Sequence, residues 1–95
     1  MRAASQLPGS EIVDPGLRDL RANVLSEEAL VVLAAAPRLR RAGVSVEEDA
    51  RELGASHELY ALLAERVGVR AHGRHHAMLR RVASYASAHA RLRGR

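Results

Sequence analysis

Proline and glycine divide this chain into segments that are each long enough for a single helix, and helix start signals stand just after the breaks. Pro37 lacks the amide hydrogen a helix interior needs and strains the preceding turn, so a helix ahead of it stops or kinks there. Gly43, Gly54 and Gly68 each stand where a helical pattern runs out, and glycine takes the left-handed conformation past a helix end at little cost. Ser26, followed by Glu27 and Glu28, has the pattern of an N-cap with acids at the positive end of the helix dipole, and the helix it opens carries Leu30, Leu33 and Ala34 inward. A further turn or two, Arg38 to Ala42, ends at Gly43 with Arg40 and Arg41 near its negative end. Ser45 with Glu48 three residues later forms a capping box for a helix closed by Gly54. Ser56 caps the next helix, in which Leu59, Leu62, Leu63 and Val67 make one apolar stripe up to Gly68. The last helix starts between Ala71 and Arg74 and runs to about Leu92. Met78, Leu79, Val82, Tyr85, Ala86 and Leu92 lie on its apolar side, and Arg74, Arg81, Ser84, Ser87, Arg91 and Arg95 on the other. β-branched residues are scattered and no segment alternates over several positions, so strands are not expected. The predicted fold class is all-α: a compact bundle of four to five short helices with a long basic C-terminal helix.

Ninety-five residues allow one domain around one core. Residues 1 to 16 combine Pro8, Gly9, Pro15 and Gly16 with few large apolar groups, which predicts a disordered leader ahead of a single helical domain over residues 17 to 95. That domain would open with a short helix from Leu17 to Val24, capped by Asp14. The chain has no cysteine, which excludes disulfides and thiolate-held zinc and gives a cytoplasmic reading. No apolar run approaches the roughly 20 residues that span a bilayer, and the N-terminus lacks the pattern of a signal peptide.

Charge is distributed very unevenly. Residues 70 to 95 hold seven arginines and four histidines and no acid, whereas eight of the eleven acids lie between Ser26 and Val69. Lysine is absent throughout, so the number of arginines in part reflects a general preference; the missing acids in the tail do not. A basic helix on a weakly acidic body calls for an anionic partner: duplex nucleic acid, or an acidic protein surface that includes a second copy in a homodimer. Tyr60 and Tyr85 are the only aromatic residues, so single strands would lack their usual stacking platform and duplex backbone contact is favoured.

At Ala50 to Gly54 and again at Ala64 to Gly68 a small residue is followed four positions on by a glycine, and both stretches resemble the helix-turn-helix pattern, in which the small residue packs one helix on the next and the glycine makes the turn. The first is Ala50 to Gly54, with Leu53, Ala55 and Leu63 in apolar positions; it would present His57, Glu58 and Ala61 outward, and Asp49 and Tyr60 depart from the pattern. The second is Ala64 to Gly68, with Leu63, Val67 and Val69 in apolar positions, and Gly73 and Arg74 depart from it. The second resemblance implies that Arg70, His72, Arg74 and His75 lie near the start of a recognition helix in the major groove, with Arg80, Arg81 and Arg91 reaching phosphates. Arg93 joins them as a phosphate-contacting candidate on the acid-free tail. The stretch from Val67 to Val82 is also similar to the end of sterile alpha motif domains, in which a second glycine, here Gly73, opens a long final helix; His72 departs from that pattern. This resemblance implies self-association or partner binding, in some members RNA binding, without catalysis.

His72 and His76 share a helix face at a spacing that can hold a metal, but arginines surround them, no acid lies nearby in sequence, and Gly73, Arg74 and His75 stand where a metalloprotease glutamate would be. Neither a metal site nor a cofactor is expected. There is no cysteine nucleophile, glycine-rich phosphate loop or serine elbow, and Glu47, Glu48, Asp49 and Glu52 have the pattern of a solvated face. The sequence therefore predicts a non-enzymatic, helix-turn-helix-like nucleic-acid-binding regulator of transcription, with a helical protein–protein interaction module as the alternative.

Overall fold

The structure, a computed structural model, describes residues 7 to 94, and every regular element among them is helical. The α-helices are α1 (Ser10–Arg21), α2 (Glu27–Ala34), α3 (Ala36–Arg41), α4 (Ala55–Val67) and α5 (Ala71–Arg93), with one-turn 3-10 segments at Ala50–Gly54 and Gly68–Arg70. No helix among the described residues is long and apolar enough to cross a membrane.

α2 is the centre of the fold. Ala29, Leu30, Val31, Val32 and Leu33 are all buried, so this helix is covered on every side instead of showing the single inward stripe expected of Leu30, Leu33 and Ala34. Ala34 itself is only half-buried. α1 and α4 pack against α2 and α5 lies across all three, with Leu59, Leu63, Met78, Val82 and Tyr85 completing the core. Ser26 caps α2 as its sequence predicts: its Oγ accepts the Ala29 amide at 3.1 Å and donates to Asp19 Oδ2 at 2.6 Å, tying the start of α2 to the end of α1. α2 stops at Ala34, and α3 restarts at once with Pro37 in its first turn, where a missing amide hydrogen costs least.

α1 starts seven residues earlier than the proline and glycine content predicts. Gly9, at φ 87°, turns the chain into the helix, and Asp14 lies inside it instead of capping it. Pro15 costs the interior of α1 a hydrogen bond, about 3 kcal/mol. Burial of Ile12 and Val13 offsets this, at about 1.5–3 kcal/mol for each fully covered side chain. Gly16 has a tertiary use: a Cβ there would stand 2.6 Å from Glu28 O and from Val32 Cγ2, so α1 and α2 approach through a position only glycine can fill. Residues 10 to 16 therefore belong to the helical domain; residues 1 to 6 of the expected leader, and Arg95, lie outside the described residues.

The capping box predicted at Ser45 and Glu48 stands four residues later. Asp49 Oδ1 accepts the Arg51 amide at 2.9 Å and Glu52 Oε2 accepts the Asp49 amide at 3.0 Å, opening only a 3-10 turn. Residues 44 to 49 have no regular structure, and Arg40 holds them down by donating to the carbonyls of Val46 (2.7 Å) and Glu47 (3.0 Å) and to the Glu52 carboxylate. α4 begins at Ala55, so Ser56 lies within its first turn instead of capping it. Gly68 ends α4 at φ 61° and ψ −124°, a region that side chains avoid.

Candidate nucleic-acid interface

α5 has 23 residues, about 34 Å at 1.5 Å per residue, in a molecule 42 Å long, so the candidate residues are spread along most of its length. It buries Ala71, Met78, Val82, Tyr85, Ala86 and Ala88, leaving His76, Arg80, Ser84, Ser87 and Arg91 along the exposed side. Leu79 is half-buried, and Leu92, expected on the apolar side, is 47 % exposed.

The eight candidates fall into distinct environments. Arg74 and Arg81, two turns apart, stand at the edge of the buried face instead of opposite it. Arg74 donates to Glu27 Oε1 at 3.2 Å and Arg81 to Glu11 Oε2 at 2.8 Å. Glu27 also takes Arg66 at 2.8 Å, so one carboxylate at the start of α2 joins α4 and α5. Burial acts to raise the Glu27 pKa, but the hydrogen bonds from Arg66 and Arg74 outweigh it and hold the carboxyl below its ordinary value. The Arg81 hydrogen bond likewise lowers Glu11. His75 Nε2 lies 3.2 Å from both Oγ and the carbonyl oxygen of Ser56 on α4, with the Tyr60 ring edge-on at 5.5 Å between centroids. The His72 and His76 rings are 5.1 Å apart and exposed, and among the described residues no third metal-ligating side chain joins them. Arg70, Arg80, Arg91 and Arg93 are exposed and have no carboxylate partner among the described residues.

Packing adds two residues that the sequence reading did not select. No acid occurs between Ala29 and Val46, and that stretch includes α3 with Arg38 and Arg41. α3 packs against the C-terminal part of α5: His89 Nδ1 donates to the Ala42 carbonyl at 3.0 Å, and the Arg93 guanidinium lies so close over Gly43 that a Cβ there would stand 2.2 Å from its Nε. Gly43, at φ 96°, therefore meets two requirements at once. Arg38 and Arg41 are exposed and have no carboxylate partner among the described residues, whereas Arg40 turns to Glu52 and the 44–49 segment. The acid-free gap from Ala29 to Val46 was the available sequence signal. Only the fold shows that this gap meets the tail, through His89 on Ala42 and Arg93 over Gly43. Arginines near helix C-termini also have a structural role, since each terminus carries about half a negative charge. The ends of α3 and α5 together supply about one negative charge against four arginines, which leaves this end of the molecule strongly positive.

The two turn glycines differ from the helix-turn-helix arrangement in specific ways. Ala50–Gly54 is itself a 3-10 turn entered from irregular chain, and Gly54 has φ −108° instead of a left-handed turn conformation. At the second stretch, α4 and α5 follow in helix-turn-helix order, and Leu63 is buried, but Val69 is 100 % exposed where the pattern places an inward apolar residue. α5 begins at Ala71, so Gly73 lies in its first turn instead of opening it. Comparisons with protein-family models, with curated proteins and with solved structures find no match to this chain.

Proposed function

We propose that this protein is a small, non-catalytic nucleic-acid-binding protein that contacts duplex phosphates through the joined ends of α3 and α5. The observation that carries this reading is the convergence of two acid-free segments, which puts Arg38, Arg41, Arg91 and Arg93 at one end of the molecule without a carboxylate partner among the described residues. Arg80, toward the middle of the exposed side of α5, lies on the same side of that helix as Arg91. Arg74 and Arg81 are secondary contributors because Glu27 and Glu11 already engage them. Arginine contacts to phosphate position a protein on the duplex without reading bases. A regulator of transcription is the corresponding biological role.

Fluorescence anisotropy with a random-sequence duplex tests the reading. If four arginines contact phosphates, log affinity falls with log salt at a slope near −3.6, roughly a hundredfold loss from 50 to 200 mM. Changing Arg38, Arg41, Arg91 and Arg93 to Gln abolishes binding at moderate salt, while changing Arg74 and Arg81 to Gln has a smaller effect. Salt-independent binding, or equal losses from the two sets, overturns it.

A second reading is favoured by the turn before α5. Val69 is fully exposed beside Arg70, and a Cβ at Gly73 would have nothing within 4 Å, so an aliphatic side chain and an open helix start sit together among arginines. A non-catalytic interaction module that docks an acidic protein through this turn accounts for them. In that case Val69→Glu abolishes partner capture without affecting duplex binding.

A further inference from the structure

A cleft of about 460 Å³ opens between the C-terminal half of α1 and the irregular segment after α3, far from the start of α5 in the sequence. Its floor is Leu17, Leu20, Leu33 and Val46, and of these only Leu33 is fully covered. Glu47 and Glu48 stand on its rim, exposed and with no ion-pair partner among the described residues. Asp49, also on the rim, is committed to Arg51 at 2.7 Å. The volume falls in the range of sites that enclose a ligand group, about 300–1,000 Å³, and the chemistry asks for an aliphatic side chain accompanied by cations.

The last turn of α5 presents that chemistry. Leu92 is nearly half-exposed and stands between Arg91 and Arg93, neither of which has a carboxylate partner among the described residues. Within one molecule the tail helix is held by His89 on Ala42 and by Arg93 over Gly43, two residues before the cleft begins at Ser45. Arg93 over Gly43 therefore brings the last turn of α5 close to the chain that enters the cleft at Ser45.

We infer that two copies of this chain form a closed two-fold dimer in which Leu92 of each enters the Leu17, Leu20 and Val46 cleft of the other, with Arg91 and Arg93 meeting Glu47 and Glu48. Each copy carries both the donor turn and the acceptor cleft, so the contact is made twice about the two-fold axis, as in an isologous interface, and closes on itself instead of growing into a filament. The inference is independent of nucleic-acid binding, yet the two share Arg91 and Arg93, so duplex and dimer compete.

Sedimentation velocity of the full chain from 10 to 500 µM, without nucleic acid, tests this. The wild type sediments as a concentration-dependent dimer that weakens with salt. Leu92→Glu and the pair Glu47→Arg with Glu48→Arg each weaken dimerisation at least tenfold. Adding Arg91→Glu and Arg93→Glu to the Glu47/Glu48 pair in one chain restores it, because the charges are exchanged across the contact. Leu92 is on the surface, so circular dichroism of the variants matches the wild type. A wild type that stays monomeric at 500 µM overturns the inference, as do a dimer that ignores Leu92 and the Glu47/Glu48 pair, association dissolved instead by Leu53→Glu or Val69→Glu, and growth beyond the dimer.

Discussion

Gly16 and Gly73 lie in similar helical settings but have opposite uses. At Gly16 a methyl group would stand 2.6 Å from the Glu28 carbonyl oxygen and from Val32 Cγ2, so the two helices would have to separate. Overpacking of this kind costs about 1–3 kcal/mol, and Gly16→Ala is expected to lower the melting temperature clearly. At Gly73 a methyl group meets nothing within 4 Å, and the residue is within α5. Gly73→Ala is expected to stabilise the fold by about 0.5–1 kcal/mol through helix propensity alone, as urea denaturation would show. A loss at Gly73 would mean that its backbone is needed in a way this structure does not contain. The sequence did not distinguish the two glycines, because what decides is the atom that faces each of them across space.

At the level of elements, α5 is fixed along one edge by ion pairs and free along the other. Arg74 and Arg81 reach Glu27 and Glu11 from the edge of the buried face, while Arg91 has no carboxylate partner among the described residues. Replacing Arg74 and Arg81 with Glu puts like charges against the first turns of α2 and α1 and should depress thermal stability. Arg91→Glu alone should leave the melting temperature unchanged while reducing duplex binding. Equal melting temperatures for the two variants would show that these ion pairs do not hold α5 in place. The helices themselves were largely legible: the Ser26 cap, the stops at Pro37, Gly43 and Gly68, and the extent of α5 all follow from local rules. The start of α1 and the displaced capping box were not. In α1 the decisive term is burial of Ile12 and Val13, which local proline and glycine penalties cannot weigh. At Asp49 the turn is set by Arg40, which pulls Glu52 and the preceding carbonyls together across the fold.

For the whole molecule, carboxylates joined to arginines link stability to pH. Hydrogen bonds from Arg81 lower Glu11 and those from Arg40 lower Glu52. Arg66 and Arg74 outweigh burial at Glu27, and Arg51 brings Asp49 down to about 2. Each carboxyl binds a proton more readily in the unfolded chain than in the native one, so its stabilisation is complete above the ordinary carboxylate values of 4.5 and 3.8 and is lost as the pH falls through the native ones. Melting temperatures should be flat from about pH 7 to 5.5 and fall steadily toward pH 2, with net proton uptake on unfolding. A profile flat to pH 2 would show that these pairs add nothing to the fold. The sequence by itself determined that the chain is helical, where most helices stop, and that its last helix is basic, because capping, helix-breaking residues and composition act over a few neighbouring positions. The tertiary structure decided which arginines are available. Whether a guanidinium faces Glu27, Glu11, Glu52 or solvent depends on contacts between residues 12 to 70 positions apart, and the same packing joined Arg38 and Arg41 to the tail.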